Sequence, residues 1–337
     1  MVKGSSIKKY FISIFIINVF ILTGSLSIIA QDPGFSQFYS NRLYLNPTYA
    51  GEEGCYRLML NYRNQWPSLG STYVTYSASV DKFVEKVHGG LGLLIFHDTE
   101  GDGAFNTTCI SGMYTYTIKI KRKFYIKSGF QVSYFQKRLN MDFVFPDMID
   151  PLYGVIYRSN EPLVQKYNCI NTGFVDFSAG GIAFVENSFF GFAVHHLTEH
   201  EESFRNNSEA VLPRKYTLHF GTNIPVKGLR LRKDDFFLSP NVLFQQQRDF
   251  QQLNYGFYAT RKSLVAGIML RQNFKFNFDS FIMTLGYSVS DMKFGYSYDL
   301  TVSRLCNQTL GAHEISFSYV FGCKPPPQKY HIVNCPL

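Results

Sequence analysis

The sequence predicts an all-β fold, a transmembrane antiparallel β-barrel of about 14 strands (12 to 16), and three observations support this prediction. The composition is rich in residues that favour strands, with 33 Phe and 23 Tyr among 337 residues. Apolar and polar residues alternate from about residue 55 onward, which sorts them onto the two faces of a strand but not of a helix. The chain also begins with the features of an export signal.

The N-terminal segment has the three parts of a secretory signal peptide. Three lysines come first, at positions 3, 8 and 9, and Tyr10 to Leu22 is almost wholly apolar. Smaller residues follow up to Ala30, just before the polar Gln31. A retained membrane anchor is the alternative, because the apolar run approaches the length of a spanning helix. The small residues favour cleavage, so we predict a signal peptide over 1–30.

Charge and cysteine content exclude several classes of protein. The formal charge is +8 and falls to +5 without the signal, which leaves 30 basic against 25 acidic residues. This mild, dispersed charge does not indicate nucleic-acid binding. Six cysteines in an exported chain of this length do not make a disulfide framework. No later apolar run approaches the roughly 18 residues that a spanning helix needs, so a membrane crossing would use strands.

The strands follow from alternation with a period of two residues. Between Tyr56 and Tyr62, and again between Met292 and Leu300, apolar or aromatic residues alternate with mostly polar ones. Applied to the whole chain, this pattern predicts strands near 55–66, 71–81, 89–97, 104–118, 124–137, 173–185, 188–197, 214–224, 236–248, 250–262, 263–273, 278–290, 292–304 and 312–321.

Loop lengths favour a membrane barrel over a soluble β-protein. With an even strand count and both ends in the periplasm, the connections after odd-numbered strands are external. These external connections include the two longest, 138–172 and 198–213. The inner connections include the short ones at 186–187 and near 291. The inner connection 225–235 is the one exception, because it is longer. Long outer loops and short inner turns are typical of bacterial barrels. We therefore expect an N-terminal periplasmic or lumen segment at 31–54, a barrel at 55–321 and a periplasmic tail at 322–337.

Several segments of the mature chain resemble the PorP/SprF family. The resemblance is carried by Gln31–Asn41, Leu45–Gly51, Leu60–Pro67, Thr75–Ser79, Phe145–Pro151 with Tyr153–Gly154, His313–Ser316, Cys323 and Asn334–Pro336. The chain departs from the family pattern at Thr48, where Ala is usual, and in a longer acidic loop around Glu199 to Glu209. The resemblance implies an integral outer-membrane barrel of the type IX secretion and gliding-motility machinery.

Family membership would imply a protein that acts by binding. Its partners would be periplasmic and outer-membrane secretion components, a secreted cargo protein such as an adhesin, and membrane lipid, but no nucleic acid. We predict no cofactor and no enzyme activity, because no nucleophile and base are recognisably paired. The alternative is an outer-membrane diffusion or uptake channel.

Two groups of residues are candidates for partner binding. The segment before the first strand could plug the lumen or reach a partner, through Phe35, Gln37, Tyr39, Asn46 and Pro47. Two basic inner connections could dock an acidic periplasmic partner, or they could be solvated turns whose lysines reach lipid head groups. These connections contain Lys119, Lys121, Arg122 and Lys123 in the first and Lys227, Arg230, Arg232 and Lys233 in the second.

The cysteines and two polar clusters complete the sequence predictions. A disulfide among Cys55, Cys323 and Cys335 is plausible, with Cys323–Cys335 preferred because it closes a short loop; unpaired thiols are the alternative. The cluster His195–Glu202 is metal-like, but its first two histidines should end a strand on opposite faces, so we expect a solvated loop and no metal site. Asp98–Gly103 should be a Gly-rich hairpin turn rather than a calcium loop.

Overall fold

In the computed structural model, the alternating segments form fourteen long strands that close into one antiparallel β-barrel. The structure describes residues 32–323 with the exception of 53, 70–71, 122, 141–143, 158, 161–168, 203–210, 227–235, 275–276 and 303–308. All fourteen predicted strands are confirmed. The predicted signal peptide and most of the predicted tail lie outside the described residues.

The strands, in chain order, are β1 Tyr56–Gln65, β2 Tyr73–Val84, β3 Gly89–Glu100, β4 Phe105–Lys121, β5 Phe124–Asn140, β6 Ile149–Asp150, β7 Gly154–Val155, β8 Cys169–Val185, β9 Ser188–His195, β10 Lys215–Thr222, β11 Ile224–Pro225, β12 Phe236–Gln247, β13 Phe250–Arg261, β14 Leu264–Gln272, β15 Phe278–Val289, β16 Met292–Thr301 and β17 Ala312–Phe321. Strands β6 and β7 form a separate short hairpin, and β11 continues the ladder that β10 makes with β12.

Neighbouring barrel strands follow each other along the chain, and two pairings complete the cylinder. Strand β10 pairs with β12, and β1 pairs with β17 over its whole length, from Tyr56 opposite Phe321 to Gln65 opposite Ala312. Every pairing in the barrel is antiparallel. Closure leaves no sheet edge along the membrane-crossing part of the wall, which is what a hydrocarbon environment requires.

The alternation places apolar side chains outside and polar ones inside. On β1, Tyr56 and Leu60 are exposed on the outer face, whereas Arg57, Asn61 and Arg63 are buried inside. The same arrangement continues around the wall, where the exposed apolar set includes Tyr76, Leu93, Ile95, Ile110, Tyr134, Phe190, Leu285 and Ile315. An apolar outer belt around a polar interior is the pattern of an outer-membrane barrel.

The connections distinguish the two ends of the barrel. One end carries the first residue of β1, the last residue of β17 and short turns such as 186–187, 262–263 and 290–291. The other end carries the long connections 141–168 and 196–214. Because bacterial barrels keep short turns in the periplasm and long loops outside, we call the first the periplasmic end and the second the external end.

A disulfide fastens the barrel seam at the periplasmic end. Cys55, directly before β1, is bonded to Cys323, two residues after β17, across a sequence separation of 268. The predicted preference for Cys323–Cys335 is therefore wrong. Pairing β1 with β17 brings the two flanking cysteines together with a Cα–Cα distance of 4.5 Å, a spacing that a disulfide can bridge.

Among the described residues, no helix has both the length and the apolar character needed to span a membrane.

Candidate functional site

The lumen of the barrel is occupied by the chain's own N-terminal segment, residues 33–52, which we call the plug. It contains a short helix α1 at Arg42–Leu45 and a single 3-10 turn at Pro47–Tyr49. Its apolar side chains pack with lumen-facing residues of the wall, and the buried ones include Phe35, Phe38, Tyr39, Leu43, Leu45, Tyr49 and Ala50. The hydrophobic core of this protein is therefore built between plug and wall, inside a polar cylinder.

The turn at Pro47–Tyr49 is fixed by Asn46, which serves both the plug and the wall. Its side-chain oxygen accepts the backbone N–H of Thr48 at 3.0 Å, which caps the turn. Its side-chain nitrogen donates to the backbone carbonyl of Phe192 at 3.0 Å and lies 3.2 Å from the ring of His219. Since these bonds use both ends of the amide, Asn46 fixes the plug against β9 and β10.

Glycines on the wall make room for this close approach. A Cβ at Gly180 would lie 2.3 Å from the side-chain oxygen of Asn46, and one at Gly129 would lie 2.7 Å from the backbone of Thr48. A Cβ at Gly90 would lie 2.1 Å from the carbonyl oxygen of Ala50. Because glycine alone lacks this atom, these three positions form a cradle for the plug backbone on β3, β5 and β8.

A first charged cluster, towards the external end, holds the start of the plug. Arg63 forms ion pairs with Asp299 at 3.1 Å and Glu314 at 3.2 Å. Ser36 donates its hydroxyl to Asp299 and its backbone N–H to Glu314, and Arg271 also pairs with Asp299. Charges buried away from water are tolerated when they are paired and hydrogen-bonded, and here plug and wall supply partners to each other.

A second charged cluster holds the end of the plug near the periplasmic end. Glu52 pairs with Arg42 at 2.8 Å and with Arg57 at 3.4 Å, and Arg57 also pairs with Asp81 at 2.9 Å. Burial alone would raise the pKa of the Glu52 carboxyl, but the positive charges of Arg42, Arg57 and Lys127 hold that pKa below its usual value. The carboxylate is therefore charged at neutral pH and ties the helix α1 to the wall.

The connection after β9 packs on the inner face of the wall at the external end. His196 has a φ of +59°, and its ring contacts Asp176 at 3.0 Å, after which the chain turns inward. His200 stacks on Phe174 with ring centroids 4.6 Å apart, and Glu202 pairs with Lys137 on β5. We call residues 196–202 the external cap. It packs on the inner face of β8, the neighbour of β9, and of β5 beyond it.

The external cap corrects the prediction for the His195–Glu202 cluster. The sequence predicts that His195 and His196 lie on opposite faces, but both side chains are buried on the inner side. The left-handed backbone at His196 breaks the alternation, which sequence periodicity does not reveal. The predicted solvated loop is confirmed for residues 198–201, which are exposed. In the part of the chain that the structure describes, no three His, Cys, Asp or Glu residues are grouped to hold a metal ion. The predicted hairpin turn at Asp98–Gly103 is confirmed for its glycines, since residues 101–104 turn between β3 and β4, whereas Asp98 to Glu100 still belong to β3.

The structure places the predicted partner-binding residues in two different environments. Phe35, Gln37, Tyr39, Asn46 and Pro47 are all buried in the lumen, which is the plug alternative of the prediction.

Of the first basic connection, Lys119, Lys121 and Lys123 are exposed at the periplasmic end, and Lys123 pairs with Glu186 at 2.9 Å. The side chain of Arg122 and the whole second connection, with Lys227, Arg230, Arg232 and Lys233, lie outside the described residues. Sequence reasoning did not identify Arg63, Glu52, Asp299 or Glu314, whose partners come from distant parts of the chain.

A closed barrel with an apolar outer belt and a lumen filled by its own N-terminal segment defines an integral outer-membrane β-barrel protein. The family model for the type IX secretion system membrane protein PorP/SprF matches residues 27–319. The chain belongs to this family. No curated protein sequence gives a significant match.

Several solved barrels are similar in structure, all at low identity. The toluene transporter TbuX of Ralstonia pickettii has 8% identity and a TM-score of 0.47, with 83% of this chain and 93% of that chain covered. Omp33 of Acinetobacter baumannii has 8% identity and a TM-score of 0.44, with 80% and 100% covered. A FadL homologue of Pseudomonas aeruginosa has 12% identity and a TM-score of 0.40, with 78% and 89% covered. At these TM-scores the similarity says nothing about what this chain binds or carries.

Proposed function

We propose that this protein is a binding component of the type IX secretion and gliding-motility machinery, which engages periplasmic partners and secreted cargo instead of conducting solutes or catalysing a reaction. Membership of the PorP/SprF family supports the assignment of this protein to the type IX secretion machinery. The observation that supports binding over conduction is the occupied lumen, with Tyr39, Leu43 and Tyr49 buried between opposite parts of the wall. An interior filled by side chains leaves binding to the two rims and their loops.

The periplasmic rim is the surface that we propose for docking of a machinery component. Lys119 and Lys121 are exposed there and form no ion pair with any described residue. Lys123 adds a third charge, although Glu186 neutralises it in part. In the sequence, Arg122 and the second basic connection carry further positive charges. Clustered positive charge attracts an acidic partner and sets the rate of encounter.

Charge reversal tests the docking surface. Lys119→Glu with Lys121→Glu, combined with Lys227→Glu and Arg230→Glu, should lower the capture of periplasmic partners in crosslinking pull-downs from native outer membranes. Arg138→Glu with Arg248→Glu is the matched control, because both arginines are exposed at the external end. Equal capture by both variants would remove the docking surface from the proposal.

Conductance separates binding from the channel alternative. The purified wild-type barrel in a planar bilayer should stay electrically silent, since the plug occupies its lumen. A steady open pore in the unmodified protein would favour a diffusion or uptake channel over a binding component.

A further inference from the structure

Strand β8 rises well beyond its neighbour at the external end. It pairs with β5 along its full length, from Cys169 opposite Asn140 to Val185 opposite Phe124. Its ladder with β9 runs only from Val185 to Ala179, which lies opposite Val194. Among the described residues, no strand pairs with 169–176 on the β9 side, which leaves roughly 25 Å of strand edge at about 3.3 Å per residue.

The cause of this overhang is the external cap. Leu197 donates its N–H to the carbonyl of Phe177 at 3.0 Å, which is the last backbone bond across this edge in the described part of the chain. From there the chain turns to the inner face of the wall, where His200 stacks on Phe174 and Glu202 reaches Lys137. The segment that would have continued β9 alongside β8 therefore packs on the inner face of β8 and β5 instead.

The open edge presents main-chain groups in a regular order. In an antiparallel ladder, the N–H and C=O of one residue point to the same side, and successive residues point to opposite sides. Because Phe177 bonds across the β9 side, Val175, Gly173 and Asn171 direct their N–H and C=O to that side as well. These three residues are exposed.

The edge lacks the features that protect strand edges in natural proteins. Proline, lysine, bulges and short length are the usual protection. Residues 169–176 contain no proline and no lysine, and the β5–β8 register has no shift. Strand β5, which pairs with this part of β8, has exposed Gln136 and Arg138 on its outer face, opposite Gly173 and Asn171. These polar residues indicate that the edge lies above the apolar belt, in water. An unprotected, solvated edge is a template for another strand.

Exposed charges of both signs lie near the edge. Arg138 on β5 is directly opposite Asn171, and Glu199 and Glu201 lie on the external cap. Glu199 pairs with Arg214 at 3.3 Å, whereas no ion pair joins Glu201 to a described residue. An incoming strand would therefore gain from a basic residue near Glu201, while apolar side chains at alternate positions would pack on the outward-facing Val175.

We propose that the edge of β8 at 169–176 binds an extended segment of the secreted polypeptide, by addition of a strand. Main-chain bonds supply the affinity in this mode, and alternate side chains supply the specificity. The occupant has apolar residues at every second position and at least one basic residue. This inference rests on the proposed role in secretion and names the cargo-binding surface of that role.

Site-specific photocrosslinking in native outer membranes tests the proposal. A photoreactive phenylalanine analogue replacing Asn171 should crosslink to secreted protein. The same analogue replacing Phe250 should not, because Phe250 is exposed at the external end of β13, four strands away from β8. Asn171→Pro, which removes the outward N–H but no bond to β5, should lower cargo capture about fivefold or more. Asn171→Ser, which keeps the N–H, should leave capture unchanged.

The outcomes separate this inference from the proposed function. Secretion that depends on this protein, without any crosslink at position 171 and without an effect of Asn171→Pro, would overturn strand addition and leave the secretion role intact. A crosslink only to residues 203–210 of the same chain would identify a segment of the protein itself as the occupant and would also overturn the proposal. If Asn171→Pro fails to fold, which would appear as loss of heat-modifiable migration in gel electrophoresis, the crosslink at position 171 alone tests the proposal.

Discussion

Arg63 and Glu314 lie directly opposite each other across the seam where β1 meets β17, and their side chains form an ion pair of 3.2 Å inside the barrel. Ser36 of the plug donates its backbone N–H to the same Glu314 at 2.7 Å. Closure of the wall and seating of the plug therefore share one carboxylate. This sharing explains why a segment with so little secondary structure of its own is held firmly in the lumen.

Loss of Arg63 should destabilise the barrel strongly. Arg63→Ala would leave Asp299 and Glu314 buried with fewer partners, and breaking a buried pair costs about 3–5 kcal/mol. Unfolding in urea, in detergent micelles, should show this loss. Lys123→Ala is the control, since its pair with Glu186 has both side chains more than half exposed, at 62% and 63%, and such pairs contribute about 0–1 kcal/mol. Similar losses in both variants would contradict the assigned role of Arg63.

A methyl group in the glycine cradle should displace the plug. In Gly129→Ala the new Cβ would meet the Thr48 backbone at 2.7 Å, so the turn at Pro47–Tyr49 must shift. We expect conductance events in planar bilayers that the wild type lacks. Gly112→Ala is the matched control on the outer face of the adjacent strand, because nothing lies within 4 Å of its Cβ position. A silent Gly129→Ala barrel would mean that the plug tolerates the methyl group.

The attachment of the plug should weaken in acid, in part through Glu52. Its folded-state pKa lies below the ordinary value of 4.5, so its contribution to stability is complete above the unfolded-state pKa. That contribution is lost as pH falls through the folded-state pKa. Thermal unfolding of the wild type and of Glu52→Gln, compared between pH 7 and pH 3, should show a difference that shrinks in acid. A constant difference would show that Glu52 does not act through its charge.

The disulfide at the seam should be found between Cys55 and Cys323. Peptide mapping without reduction should recover these two cysteines in one linked fragment, with neither Cys109 nor Cys169 in a disulfide bond. Recovery of Cys323 linked to Cys335 would contradict the pairing at the seam. A Cys55→Ser variant provides the control, because it should abolish the linked fragment.

The barrel could be predicted because its signal is local. Alternation along Tyr56–Tyr62 or Met292–Leu300 is complete within one strand, and the polarity of each face follows from lipid outside and polar groups inside. The strand count and the two ends of the barrel needed only these patterns and the loop lengths. None of them depends on which residues meet across the lumen.

The interior could not be predicted, because its contacts join distant segments. Ser36 and Glu314 are separated by 278 positions, and no pattern near either residue reveals the other. The inward turn at His196 depends on one left-handed residue, and the Cys55–Cys323 pair depends on which strands close the seam. One available signal was missed: glycines at lumen-facing positions, such as Gly129 and Gly180, indicate close approach of another backbone.

The most direct test of the plugged lumen is a disulfide engineered between plug and wall in native outer membranes. A Cβ at Gly92 on the wall would lie 3.0 Å from the Cβ of Ala50 in the plug, close to the Cβ–Cβ distance of about 3.5–4.5 Å found in disulfides. We therefore predict that Ala50→Cys with Gly92→Cys forms a disulfide bond, detected by peptide mapping. Ala50→Cys with Ser280→Cys, which lies near the external end of β15, should form none. Failure of the first pair to crosslink, with both thiols labelled by a water-soluble maleimide in the folded barrel, would show that the segment lies outside the lumen.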